Sequence, residues 1–331
     1  MNRASMMVLC CAMAANASAL AAPSPVPEVL APGVISGPAH DSAPAFTPDG
    51  DEVYFSRSSS AISTIMVSYK TSAGWSEPSV APFSGRWNEM EPTMAPGGRY
   101  MVFVSNRPAL PGGAALDGFF DGVARPGMGA QLWRVDRSGA GWGEPYRLPD
   151  EINANTSIYA PSIAADGSLY FMKPGSEGKF EIYRSQRTAS GFMPPEAMPF
   201  NQKGGSTVDP AVAPDESFVV FSSGRKPARS MDLFIAFRQG KSWGCPIHLG
   251  DVVNSAGSDA EARLSPDAKT LYFSSERTVP TSFPMTRDET IKAMQRMQSW
   301  DTGNYNIFSV SLAPWLQARG DEQCETAPRR P

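Results

Sequence analysis

The chain has 331 residues, 41% of them hydrophobic and 19% charged, so it can bury a core and is not globally disordered. Its formal net charge is −4 with no extended basic run, which excludes nucleic acid as an expected partner. Its 29 Gly and 31 Pro are spread along the chain, a sign of many turns rather than one floppy linker.

The first predicted element is an export signal. Arg3 precedes the apolar run Met6–Ala15, and Ala17-Ser18-Ala19 then fits an A-x-A cleavage site, with a cut after Ala21 nearly as good. The run falls short of the roughly twenty apolar residues a spanning helix needs, so no transmembrane segment is expected. Cys10 and Cys11 lack the small preceding residue of a lipoprotein signal, so the reading is export without a lipid anchor. Residues 1–19 are read as a signal peptide, 20–40 as an N-terminal segment, 41–316 as a repeat domain and 317–331 as a polar tail. The expected location is periplasmic or secreted.

Five segments then repeat: SAPAFTPDGDEVYFSR from Ser42, MEPTMAPGGRYMVFVSNR from Met90, YAPSIAADGSLYFMK from Tyr159, VDPAVAPDESFVVFSSGR from Val208 and AEARLSPDAKTLYFSSER from Ala260. Each is an apolar stretch, a turn dipeptide and an aromatic-rich stretch. The turns are Asp49-Gly50, Gly97-Gly98, Asp166-Gly167, Asp215-Glu216 and Asp267-Ala268, the first three suiting a two-residue hairpin with φ above zero at both central positions. Phe55, Phe103, Phe171, Phe221 and Phe273 recur at one place and are read as core. A third alternating strand follows in each unit, starting at Ser63, Gln131, Glu181, Asp232 and Asn306. After four of these comes an aromatic, two residues and Pro, as in Trp75–Pro78 and Trp243–Pro246, and then a short fourth strand.

Four antiparallel strands recurring about every fifty residues predict an all-β, five-bladed β-propeller, with six blades as the alternative. The fifth unit has no fourth strand of its own. The orphan Pro27-Glu28-Val29-Leu30 matches the starts of fourth strands elsewhere, so it is expected to join the last blade and close the ring.

These segments, TPDGDEVYFSR and SPDAKTLYFSSER above all, resemble the WD40-like propeller repeats of TolB and of some outer-membrane-associated proteins. The resemblance runs over roughly Pro27–Leu312. It implies a propeller and leaves function open. TolB-like proteins carry an α/β domain before the propeller, for which Pro23–His40 is too short, and the outer-membrane relatives carry a peptidoglycan-binding domain after it. The TolB partners are therefore not carried over.

Three features converge on one face, where strand one begins and the loop between strands two and three lies. Glu91, Asp209 and Glu261 stand just before strand one, with Asp41, Glu89 and Asp259 two residues ahead of the same position, so a ring of carboxylates is expected at the channel mouth. Strand two ends with Arg57, Arg107, Lys173, Arg225 and Arg277. Both long insertions, 108–129 and 278–303, fall between strands two and three. Either each Arg pairs with a carboxylate and pins adjacent blades, which is the favoured reading, or the ring forms a pocket. Such a ring has the oxygen ligands for calcium; otherwise no cofactor is expected.

In the later insertion Thr286 and Glu289 form a capping box ahead of Ile291, Met294 and Met297 at helical spacing. These three either pack on the propeller or form an adaptable binding surface. Phe119 and Phe120 mark an apolar tip in the other insertion. Cys245 and Cys324 remain after cleavage and form one candidate disulfide; with His40 and His248 they give no zinc spacing. No nucleophile elbow, phosphate loop or H-E-x-x-H is present. The expectation is an exported non-catalytic scaffold binding a protein or envelope component through the insertion face. The alternative is a carbohydrate-active enzyme or glycan-binding propeller using the channel-mouth carboxylates.

Overall fold

A computed structural model of the chain describes residues 25–120 and 123–319. The expected export signal, Cys324 and most of the tail lie outside the described residues. Within them the chain forms five antiparallel blade sheets and two further two-stranded ladders, and the fold is a five-bladed β-propeller. The first blade comprises His40–Phe46, Glu52–Ser58, Ser63–Thr71 and Ser79–Val80. The second comprises Glu89–Met94, Tyr100–Ser105, Gln131–Ser138 and Tyr146–Arg147. The third comprises Tyr159–Ile163, Leu169–Pro174, Phe180–Ser185 and Glu196–Ala197. The fourth comprises Thr207–Val212, Phe218–Ser223, Asp232–Gln239 and Ile247–His248. The fifth comprises Asp259–Leu264, Thr270–Ser275 and Asn306–Ser311, and takes its outer strand, Glu28–Val29, from the N-terminal segment. The closing register is Glu28 opposite Ser309 and Val29 opposite Phe308.

The core lies between blades, because a sheet in a ring buries its faces only against its neighbours. Five apolar clusters fill the five interfaces. Tyr54 and Phe103 share the one between blades one and two, Val104 and Phe171 the next, and Tyr170 and Phe221 the one after. Val220 and Phe273 fill the interface between blades four and five, and Phe55 and Ile307 the closing one. All five repeated Phe residues are fully buried. The aromatic that precedes each x-x-Pro, as at Trp75, Trp142 and Trp243, sits in a two-residue hairpin on the end of strand three. Trp142 also crosses to the first blade, where its indole N–H donates to the Tyr54 hydroxyl at 2.8 Å.

Each loop leading to the next blade returns a side chain to the backbone of strand three. Asn153, Asn201 and Asn254 each accept from and donate to one residue, Leu132, Ile182 and Leu233 respectively. Ser84 accepts from Ile65 N–H, and Ser36 bonds both backbone groups of Ile307. The carbonyls also accept from the following backbone, as Leu132 O does from Leu148 N–H, whereas the N–H groups depend on these side chains, and a buried unpaired peptide group is unfavourable.

The turn chemistry differs from expectation. Gly50 N–H bonds Thr47 O and only Gly50 has φ above zero, at 74°; Gly98, Gly167, Glu216 and Ala268 repeat both features. In blade three, where Ala164 N–H closes on Ser168 O, this is the three-residue loop, a type I turn followed by one left-handed residue; in the other four, Thr47, Ala95, Ala213 and Ser265 close on the carbonyls of Glu52, Tyr100, Phe218 and Thr270, which makes a four-residue loop, and none is the two-residue loop. Pro at the second turn position, as in Pro48, Pro96, Pro214 and Pro266, has the φ that a type I turn requires there.

Candidate functional site

Strand one of each blade touches strand one of the next, and the last touches the first, around a central channel. Every strand one carries a bulge at the same place: Ser42/Ala45, Met90/Thr93, Tyr159/Ser162, Val208/Ala211 and Ala260/Arg263. In each bulge one residue is left-handed: Ala43 (φ 49°), Glu91 (53°), Ala160 (50°), Asp209 (56°) and Glu261 (51°). A non-Gly residue in this region is strained by about 1–3 kcal/mol. Pro follows in four of the five, and a bulge is where a strand tolerates a residue without N–H.

The bulge frees a backbone N–H from the ladder, and the ring uses it. Glu91 N–H donates to Ser56 Oγ at 2.8 Å, Ala160 N–H to Glu91 Oε2 at 2.6 Å, Glu261 N–H to Asp209 Oδ2 at 3.1 Å and Ala43 N–H to Ser274 Oγ at 3.4 Å. At the remaining interface Val212 N–H donates to Ser162 Oγ at 3.0 Å. Every blade is thereby bonded to the next beside the channel.

The six carboxylates expected in one ring fall into two sets with different surroundings. Asp41, Glu89 and Asp259 have fully buried side chains, each paired with the strand-two Arg of its own blade. The distances are 2.6 Å for Arg57–Asp41, 2.7 Å for Arg107–Glu89 and 2.8 Å for Arg277–Asp259. The same three guanidinium groups, and that of Arg225 in blade four, donate to carbonyls of the loop arriving from the preceding blade: Arg57 to Ile35, Arg107 to Phe83, Arg225 to Phe200 and Arg277 to Val253. Each of these Arg also lies over its blade's repeated Phe, at 5.0–5.7 Å. These residues clamp blade to loop and do not line the channel mouth as expected. A buried pair satisfied on both sides is structural, since removing one partner strands a charge.

Blades three and four depart from this clamp. Thr207 stands at the acid position of blade four, so Arg225 bonds Thr207 Oγ1 at 3.0 Å, and burial pulls its pKa down to about 10. In blade three the acid position is the buried Ile158, and Lys173 lies 4.4 Å from the Tyr183 ring centre with its pKa lowered by burial.

Glu91, Asp209 and Glu261 form the second set. They come from three blades and feel one another's charge, so they converge on the channel. Burial first, then Glu261 and Asp209, pushes the Glu91 carboxyl up to about 8; burial and then Glu261 push Asp209 up to about 6. Among the described residues none of the three is paired with an Arg. The nearest compensating cation is one that reading the sequence missed, Arg263, whose charge is felt by both Glu91 and Asp209. Only 5% exposed, Arg263 donates to Pro92 O and Ala262 O, while its Nη2 has no hydrogen-bond partner. Its position in the repeat is otherwise Ala45, Thr93, Ser162 and Ala211, and a lone Arg among small residues was the available signal. Beyond it the channel opens at the hairpin-turn end into a cavity of about 70 Å³ lined by all five blades. Among the described residues no group of three or more His, Cys, Asp or Glu is placed to hold a metal ion.

The insertions lie on the face where the strand-one bulges begin. In the first, Gly118–Phe120 and Val123–Arg125 form a hairpin with the Phe119 side chain 55% exposed; the Phe120 side chain lies outside the described residues. In the second, helix α1, Arg287–Ser299, starts with the expected capping box, Thr286 and Glu289 bonding each other's backbone N–H. Its half-buried residues are Ala293, Arg296 and Ser299, with Ser299 against Gly33 of the N-terminal segment, and it leaves Ile291, Met294 and Met297 at 41%, 46% and 47% exposure. The methionines are half-exposed and are not buried in the propeller core. Cys245 is disulfide-bonded, while the expected partner Cys324 lies outside the described residues. No helix among the described residues is long and apolar enough to cross a membrane.

Blade count, ring closure and the acid-lined channel together define the chain as a five-bladed β-propeller. No protein-family model and no curated protein sequence matches it. Similar solved structures include TolB from Acinetobacter baumannii, 12% identical over 87% of this chain and 63% of that one, with a TM-score of 0.47. A putative TolB from Agrobacterium tumefaciens is 14% identical over 87% and 98%, with a TM-score of 0.47. The catalytic domain of a Coprinopsis cinerea GH62 α-L-arabinofuranosidase is 12% identical over 87% and 97%, with a TM-score of 0.48. The chain thus spans less than two thirds of the A. baumannii protein. At such identities the likeness concerns fold alone, and no activity passes with it.

Proposed function

We propose that the chain is an exported, non-catalytic propeller scaffold that binds a protein or cell-envelope component through the face carrying the 108–129 and 278–303 insertions. The observation that carries this reading is the orientation of α1. A helix that half-buries Ala293, Arg296 and Ser299 and leaves Ile291, Met294 and Met297 exposed keeps an apolar row unburied. Flexible methionines suit a docking surface. The carboxylates support it too, since Asp41, Glu89 and Asp259 are each satisfied by an Arg within the fold. The disulfide at Cys245 fits an oxidising compartment and with it the export signal.

The test is capture from an envelope extract by the wild-type chain and by a Met294→Glu/Met297→Glu variant. The expected result is a specific partner retained by the former and lost by the latter, with unchanged melting. Equal capture by both would remove the reading.

A second reading, glycoside chemistry at the channel, has one observation in its favour: Glu91 and Asp209 are held at different protonation strengths, as an acid and a base would be. Turnover of an aryl-glycoside panel that is abolished by Glu91→Gln would establish it in place of the scaffold.

A further inference from the structure

A cleft separate from the channel lies on the insertion face, between the blade-two hairpin and two loops of blade three. We infer that this cleft is a binding site for an uncharged or amino disaccharide unit of a glycan. Its volume of about 500 Å³ falls within the roughly 300–1,000 Å³ usual for small-molecule sites. Phe119 and Pro174 supply apolar wall; Asn155, Thr156 and Glu177 supply polar rim.

The wall is fixed in place before any ligand arrives. Ser157 Oγ donates to Phe119 O at 3.2 Å and accepts from Phe119 N–H at 3.5 Å, stitching the hairpin to blade three. Ser157 N–H donates to Asn155 Oδ1 at 2.8 Å, which sets the amide so that its NH₂ is the free end. Among the described residues, that NH₂, the Thr156 hydroxyl and the Glu177 carboxylate have no hydrogen-bond partner. An amide donor, a hydroxyl of either sense and an acceptor-only carboxylate therefore surround an exposed aromatic ring.

A sugar ring has the complementary surface, a C–H face that lies on an aromatic and a rim of hydroxyls that donate and accept. Other ligand classes fit less well. The lining holds no Lys or Arg, so nothing in it favours a phosphate, sulfate or carboxylate, and Glu177 repels them. Its polar rim would be left unsatisfied by an acyl chain. An amino sugar gains from Glu177. The inference goes beyond the docking face proposed above, because the cleft needs neither α1 nor a protein partner.

The experiment is a titration of the full chain with N,N′-diacetylchitobiose, cellobiose and maltose, followed by saturation-transfer NMR and calorimetry, with glucose 6-phosphate as the charged control. We expect saturable binding of at least one disaccharide and none of the phosphate. Phe119→Ala weakens that binding about tenfold or more, and Thr156→Val and Glu177→Gln each weaken it measurably, with unchanged melting temperatures because all three side chains reach solvent. Absence of saturable binding by all three disaccharides overturns the inference. So does binding that survives Phe119→Ala within about twofold. Binding that survives Phe119→Ala but is lost in Glu91→Gln overturns it as well and places the sugar in the channel. The methionine variants of α1 leave disaccharide binding intact, so failure of the cleft and failure of the docking face are read separately.

Discussion

Glu91 has been given three constraints at once: a left-handed backbone, burial, and two carboxylates from other blades within reach. Its pKa rises from 4.5 to about 8. The sign of the linkage follows from that rise. The folded state holds a proton that the unfolded state releases, so the contribution is complete below the unfolded pKa and is lost as pH rises through the folded one. Stability should therefore fall between pH 5 and 8, by on the order of 1 kcal/mol per pH unit for one proton. Glu91→Gln keeps an acceptor for Ala160 N–H and removes the titration. Urea unfolding across this range should show a flatter profile for the variant and higher stability than wild type at pH 8. Equal slopes in both proteins would show that Glu91 titrates normally. The clamp pairs are tested by deletion. Arg107→Ala strands the fully buried Glu89 and should lower stability by about 3–5 kcal/mol. Arg134→Ala, which breaks a half-exposed pair with Asp136, should lower it by about 0–1 kcal/mol in the same denaturation series. Sequence spacing placed these acids and arginines on one face; it did not separate the two sets, because two residues along a bulged strand reverse which neighbours a side chain meets.

At the scale of the element, strand one and α1 show where periodicity was sufficient and where it was not. Alternation and the turn dipeptides identified all five hairpins, since both signals act within a dozen residues. The bulge escaped notice because it is a relation between two strands, and its repeated residues differ in chemistry: Ala, Glu, Ala, Asp and Glu. Helix α1 was legible from its capping box and apolar spacing, but spacing names a face without saying what covers it. The box itself can be tested. Thr286→Ala removes a side-chain acceptor for the Glu289 N–H and should destabilise the helix by about 1 kcal/mol. Because α1 buries no residue, the loss should appear as faster amide exchange within the helix and leave global unfolding unchanged. A matching drop in global stability would mean that the helix folds as part of the propeller.

For the whole molecule, closure is the decisive relation. Glu28–Val29 pairs with Asn306–Ser311 across almost the entire chain, Leu30 N–H reaches Ile307 O at 2.8 Å, and Val29 and Leu30 pack against the clusters on either side of blade five. A chain beginning at residue 31 would expose the edge of Asn306–Ser311 and lose hydrogen bonds and apolar burial together worth about 3 kcal/mol. Calorimetry should then show melting lowered by roughly 6–12 °C, with light scattering reporting association through the open edge. A truncated chain that melts like the full one would mean the strand is dispensable. Blade number, strand order and the closing strand were determined by the sequence alone, because each blade repeats its own local code of turn, aromatic and alternation. Which carboxylate meets an arginine, which meets another carboxylate, that Arg263 enters the channel, and that α1 shows its methionines to water were decided only by the tertiary structure. These depend on contacts between blades, and no spacing within one repeat encodes the distance to the next.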